Sequence, residues 1–248
     1  MATSKTAASR VEAVTKKLRE GIFQGRYPPG TPLRELTVAK QLKVSQTTVR
    51  EALRRLEHAG LVRREENRGS TVTRLTPQQV RERVILRASL EASAACAAAG
   101  RMSEANFAEL EHRLRVLESA VASDRYYEAA QADLDFHRYV WECSGNSTIC
   151  SVLELITVPL FAFISILRRQ GLQRLNTVVE AHEPLIVALR SGDLEQVKVA
   201  FENGATHSYH PLLEQPGELA LAGAFGLLEL DHKGGRSVSD RRNAATRR

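Results

Sequence analysis

The chain has 248 residues, a formal net charge of +6 and 43% apolar residues, enough length for one large domain or two of unequal size. Its three cysteines, Cys96, Cys143 and Cys150, are an odd number with no C-x-x-C pair, which argues against a disulfide framework or a zinc ribbon and fits a reducing compartment. No apolar run follows Lys5 and Arg10, and the longest apolar stretch, Val152 to Leu167, contains Glu154 and Pro159; neither a signal peptide nor a membrane span is expected, and the protein is read as soluble and cytoplasmic.

Val11, Val14, Leu18 and Ile22 recur at helical spacing and predict a first helix that stops at the turn Tyr27-Pro28-Pro29-Gly30-Thr31-Pro32. A short second helix comes next, with Leu36, Ala39 and Leu42 on its buried face. Ser45 stands where an N-cap belongs, ahead of a third helix striped by Val49, Ala52, Leu53 and Leu56 and ended by Gly60. Leu61 to Glu65 and Ser70 to Leu75, around the polar turn Glu66-Asn67-Arg68-Gly69, read as a two-stranded wing. Three helices and a hairpin, with Arg50, Arg54 and Arg55 on the third helix, describe a winged helix-turn-helix.

Thr76-Pro77 opens a different pattern. Helices are predicted over Pro77–Ala99, Ser103–Ala122, Tyr126–Cys143, Asn146–Arg169, Arg174–Ser191 and Asp193–Tyr209, an all-helical bundle. The chain is thus expected to be mainly α, with a DNA-binding head at residues 1–76, a helical body at 77–230, and a basic tail without fixed structure at 231–248. Charge follows the same division: residues 1–76 hold 16 Lys and Arg against 7 Asp and Glu, 77–230 hold 13 against 20, and the last 18 hold 6 against 2. A basic head on an acidic body suits a protein whose one end meets the phosphate backbone.

Residues at the start of a recognition helix point into the major groove. Gln46 can read adenine there, Thr47 or Thr48 can meet a phosphate or a thymine methyl, and Arg50, one turn on, reaches guanine or phosphate. Leu33-Arg34-Glu35, the run Val44 to Glu57 and Gly60-Leu61-Val62 resemble the GntR family of bacterial repressors, and the helical region beyond Thr76 resembles its FadR-type subfamily with an all-α (FCD) effector domain. The resemblance implies a ligand-responsive homodimer on double-stranded operator DNA, with contacts from Arg34, Ser45, Gln46, Thr47, Thr48, Arg50, Arg68 and Gly69. Arg is usual at the place of Gln46, and Pro is common at that of Thr48.

Asp133 and His137, four apart on one helix, emerge on one face and can share a cation. The segment Asp133-Leu134-Asp135-Phe136-His137, with Ser144-Gly145-Asn146 after it, resembles the metal-binding version of the effector domain, and His182 resembles its next ligand. The position of the last ligand holds Gly204, so His207 on the same helix is the substitute. Asp with two or three His suits zinc, nickel, manganese or iron. Arg87, in Arg87-Ala88-Ser89-Leu90-Glu91, resembles the family's Arg-x-x-Leu-Glu and would clamp a small organic acid against the metal; an ion pair with Glu91 is its structural alternative. Trp141, Phe161, Phe163 and Ile164 are candidates for an apolar pocket lining.

Two other readings carry weight. A metal-free pocket for a larger acyl-type effector is favoured by Gly204. A metal-dependent enzyme is disfavoured, because there is no additional general base, no G-x-S-x-G and no phosphate loop.

Overall fold

The computed structural model describes residues 2–65, 69–171, 174–207 and 209; the expected disordered tail, the segment after Pro211, and Arg68 at the wing tip lie outside them. The head is α1 (Ala2–Phe23), β1 (Pro32–Leu33), α2 (Glu35–Leu42), α3 (Gln46–His58), β2 (Val62–Glu65) and β3 (Gly69–Val72). The body is α4 (Pro77–Ala99), α5 (Glu104–Ala122), α6 (Tyr126–Cys143), α7 (Ser147–Arg169), α8 (Thr177–Glu180), α9 (Glu183–Ser191) and α10 (Leu194–His207).

In α1 and α3 the head folds on the stripes that its periodicity predicts; in α2 the expected Leu36 is exposed and Val38 is buried beside Ala39 instead. Val11, Val14, Leu18 and Ile22 of α1 and Val49, Ala52, Leu53 and Leu56 of α3 are all buried. The Ser45 hydroxyl accepts a hydrogen bond from the Thr48 backbone N–H at 3.1 Å, so it caps α3 as expected. The wing has a third strand that periodicity missed: Pro32 and Leu33 pair antiparallel with Thr71 and Ser70, giving the order β1-β3-β2. Two residues are too few to show alternation.

The body begins without a linker, because Thr76 and Gln79 form a reciprocal capping box at the start of α4. The predicted helix over 174–191 is broken into α8 and α9. Pro184 has no N–H for the Glu180 carbonyl and its ring would clash there, so α8 stops at Glu180 and a new helix starts after His182. Asp193, just after Gly192 and expected as a cap, caps the last helix by accepting from the N–H groups of Glu195 and Gln196.

Helix α7 lies at the centre. Its 23 residues are long and apolar enough to cross a membrane by composition alone, yet two-thirds of its most apolar window is buried inside the protein, so it is read as a core helix. Its interior Pro159 leaves the Leu155 carbonyl without a helical partner. Nη1 of Arg83 on α4 donates to the carbonyls of Leu155 and Ile156 at 3.2 and 3.3 Å. Burial and the nearby Arg63 push the Arg83 pKa down. The turn after α3 docks on the same spot: Gly60 has φ +71°, and a Cβ there would lie 2.6 Å from the Leu155 oxygen. One apolar cluster therefore joins Leu18, Phe23 and Leu56 of the head to Tyr127, Trp141, Ile156 and Phe161 of the body, with the Phe23 and Tyr127 rings edge to face at 5.8 Å.

Gly60→Ala adds a methyl group both against positive φ and into backbone. It is expected to destabilise the protein by about 1–3 kcal/mol, seen as a lower midpoint of urea unfolding followed through Trp141 fluorescence.

Candidate nucleic-acid interface and metal centre

Helix α3 buries one side in the head and leaves the other bare. Gln46, Thr47 and Arg50 are exposed, and Thr48 is half-buried with its hydroxyl 2.7 Å from that of Ser45. Arg34 is exposed at the N-cap of α2, and Gly69 is exposed at φ +85° with open space around its Cβ direction. Arg55 reaches back to Glu12 of α1 at 2.7 Å, and Arg54 lies 3.8 Å from Glu51, so these two cations have partners within the head. Sequence reasoning missed Glu35. Its carboxylate accepts from Arg50 through Nε at 3.1 Å and Nη2 at 2.9 Å, and from Nε2 of Gln46 at 2.8 Å. Arg50, burial, Gln46 and Arg64 act on the Glu35 carboxyl together, and its pKa is held below the usual value.

In the body, α4, α6, α7, the α8–α9 junction and α10 meet around a small cavity lined by Arg87, Asp133, His137, Phe161, Arg168, His182 and Tyr209, among others. Asp133, His137 and His182 are all buried, and one ligand atom from each lies within 4.8 Å of the others. Nδ1 of His182 is 2.6 Å from the Val178 carbonyl. A carbonyl only accepts, so Nδ1 carries a proton and Nε2 is the ring atom turned towards Asp133. That Nε2 lies 3.2 Å from Oδ1 of Asp133 without hydrogen-bonding geometry. On His137, Nε2 accepts from Nη2 of Arg87 at 3.3 Å and lies 3.5 Å from the same Asp133 oxygen. Burial, Arg87 and His182 push the His137 pKa well down, so this ring is neutral. Burial raises the Asp133 carboxyl, but His182, His137 and Arg168 outweigh it and hold it low.

Nε2 of both imidazoles thus lies beside the Asp133 carboxylate, with the His137 lone pair taken up by an Arg87 N–H, so that a cation held here would replace that hydrogen bond. Ligand atoms each about 2.0–2.2 Å from a shared cation sit roughly 3.0–3.5 Å apart; the Asp133–His182 and Asp133–His137 pairs, at 3.2 and 3.5 Å, have that spacing, and all three atoms lie within 4.8 Å of one another. The donor set fits a divalent transition metal.

Arg87 makes the ion pair with Glu91 that is its structural alternative, and it also lines the cavity. Nε is 3.1 Å from Oε1 of Glu91, which is fully buried, while Nη2 faces His137 and the guanidinium lies 4.8 Å over the Phe161 ring. Burial pushes the Glu91 carboxyl up despite Arg87. Phe161 and Ile164 line the cavity; Phe163 lines a separate apolar cavity and Trp141 packs in the core. His207 is not brought to the site. It is exposed near the end of α10, whereas Gly204, one turn earlier, faces the cavity, because the face of α10 that packs on α4 carries Val197, Phe201 and Ala205. Arg168 and Tyr209 line the cavity unforeseen. Arg168, at the end of an apolar helix, lies 3.8 Å from Oδ2 of Asp133; the Tyr209 phenol is buried and its pKa is pushed up by burial.

Residues 10–72 match the family model "Bacterial regulatory proteins, gntR family", and residues 83–203 match the FCD domain. The chain is 31% identical over 191 residues to a probable D-xylose utilization operon transcriptional repressor of Paenarthrobacter nicotinovorans, covering 75% of this chain and 79% of that one. It is 27% identical over 194 residues to the gluconate operon transcriptional repressor of Bacillus licheniformis, covering 75% and 78%. Among solved structures, E. coli McbR/YncC aligns with a TM-score of 0.71 at 22% identity, covering 84% of this chain and 98% of that one; at that identity the likeness is one of fold.

Removing Arg87 would leave Glu91 as a buried charge without its counter-ion. Arg87→Ala is expected to lose about 3–5 kcal/mol of stability, and the double variant with Glu91→Leu to recover much of it, both read from urea unfolding.

Proposed function

The chain belongs to the GntR family of bacterial transcription regulators that carry an FCD domain, and from that premise we propose that it represses transcription as a homodimer whose body senses a small organic acid at a metal centre. The head of residues 1–76 would bind double-stranded operator DNA through Arg34, Ser45, Gln46, Thr47, Thr48, Arg50, Arg68 and Gly69. The body of residues 77–230 would hold the metal through Asp133, His137 and His182. The observation that carries the sensor reading is the convergence of these three donors beside the Arg87 guanidinium. When bound, the metal supplies a Lewis-acidic site for one carboxylate oxygen; Arg87 orients the other by charge-assisted hydrogen bonding.

Helix α7 connects the two ends. Phe161, Ile164 and Arg168 face the metal cavity, while Pro159, Ala162 and Ile166 face the head across a second small cavity shared with Ile22 and Leu61. A ligand that shifts Arg168 would displace the surface on which Gly60 docks, and so bias the placement of the two heads on an inverted repeat.

A metal-free pocket for an acyl-type effector is the second reading. Gly204, which leaves the cavity wall without a side-chain donor, favours it. The cavity is small, with room for little more than an ion or a solvent molecule, which weighs towards the metal.

Elemental analysis of the native protein should find about one transition metal per subunit, lost in both His137→Ala and His182→Ala and kept in His207→Ala. No metal after incubation with zinc, nickel or manganese would turn the proposal to the acyl-type ligand. In the head, Arg50→Ala should cost about 1–3 kcal/mol of discrimination between the preferred duplex and random DNA with an unchanged melting temperature, checked by fluorescence anisotropy and circular dichroism.

A further inference from the structure

We propose that Glu35 is a specificity-determining residue, whose carboxylate fixes Gln46 and Arg50 as one pre-oriented reading unit and penalises their use on non-cognate DNA. The proposal rests on the reading of α3 as the recognition helix. Gln46 and Arg50 are four apart on the exposed face of α3, one turn from each other. Glu35, in the first turn of α2, bridges them: Oε2 accepts from Nε2 of Gln46 at 2.8 Å and from Nη2 of Arg50 at 2.9 Å, while Oε1 accepts from Nε of Arg50 at 3.1 Å.

The chemistry of the two partners decides what remains for DNA. A carboxylate only accepts, so the Gln46 amide must turn its nitrogen to Glu35. Its oxygen and second N–H stay available, and these are the acceptor and donor that match N6 and N7 of adenine. The Arg50 guanidinium spends its Nε/Nη2 edge on Glu35. The outer edge, formed by Nη1 and the second N–H of Nη2, stays open and is the fork that reads O6 and N7 of guanine.

Glu35 is not there for the fold. The Arg50 side chain is 47% exposed, and exposed ion pairs contribute little to stability. Its effect falls on recognition. Two long side chains are ordered before DNA arrives, so less of their freedom is lost on binding. On a sequence without matching bases, the Glu35 pair restrains Arg50 from swinging out to a phosphate, and a swing that breaks the pair strands a carboxylate beside the DNA backbone.

The test uses the full-length protein, the tightest duplex selected from a random-sequence pool, and a random duplex of equal length, with affinities measured across a salt series. Glu35→Gln removes the charge and the strong acceptor. Glu12→Gln removes the same charge from the Arg55 pair, away from Gln46 and Arg50, and serves as the electrostatic control. Glu35→Gln is expected to tighten binding to random DNA, to steepen its salt slope by about one as Arg50 takes a phosphate, and to lower the ratio of selected to random affinity tenfold or more. Glu12→Gln should leave the ratio within twofold. A double-mutant cycle with Gln46→Ala should be non-additive in that ratio, and the melting temperatures of all variants should match the native protein's. An unchanged ratio in Glu35→Gln, or an equal fall in Glu12→Gln, overturns the proposal. If Arg50→Ala also leaves the ratio unchanged, the recognition-helix reading itself fails; if Arg50→Ala destroys it while Glu35→Gln does not, only the role of Glu35 is lost.

Discussion

Helix α7 is too apolar to face water, and the fold is organised around covering it. Helices α4 and α6 take most of its surface, and α1 with the head takes another part. The polar exception is the backbone around Pro159, where a carbonyl loses its helical donor. Arg83 of the body satisfies that oxygen and Gly60 of the head closes over it, so the site where the helix is weakest is where the two parts of the chain meet. The close approach of Gly60 to this backbone, which leaves no room for a Cβ, ties the head to the body more specifically than apolar contact alone.

The body cavity places charge where burial disfavours it. Glu91, Arg87, His137, Asp133, His182 and Arg168 form a chain of neighbours, all nearly or fully buried. Buried pairs of this kind seldom raise stability over an apolar core. Val178 fixes the orientation of the His182 ring, and Arg87 bridges Glu91 to His137. Because Arg168 ends α7, whatever alters Asp133 acts on the same helix that supports Gly60.

In the head, the two sides of α3 are divided. Val49, Ala52, Leu53 and Leu56 hold the fold, while Gln46, Thr47 and Arg50 are exposed. Residues on the exposed side can therefore change without loss of the scaffold, and Gln at position 46, where Arg is usual in the resembled family, is such a change. Glu35 gives that Gln a partner whose chemistry sets the direction of its amide.

Much of the architecture was legible in the sequence. Stripes at 3.6-residue spacing, the caps Ser45, Thr76, Asn146 and Asp193, and the punctuating Gly60, Gly145 and Gly192 placed most helices to within a residue or two. These signals are local: a helix face or a cap is settled by residues at most a few positions apart. The triad Asp133, His137 and His182 was also legible, through a resemblance. The break at Pro184 was in view but its consequence was underestimated, and β1 was too short to show a pattern. What tertiary packing alone decided lies between residues far apart in the chain: Glu35 on Arg50, 15 positions away, Arg87 on His137, 50 away, and Arg83 on Leu155, 72 away. Packing also turned Gly204 rather than His207 towards the cavity. Side-chain type limits which partners are possible, but which one is met depends on how helices cross, and that is fixed by the whole core.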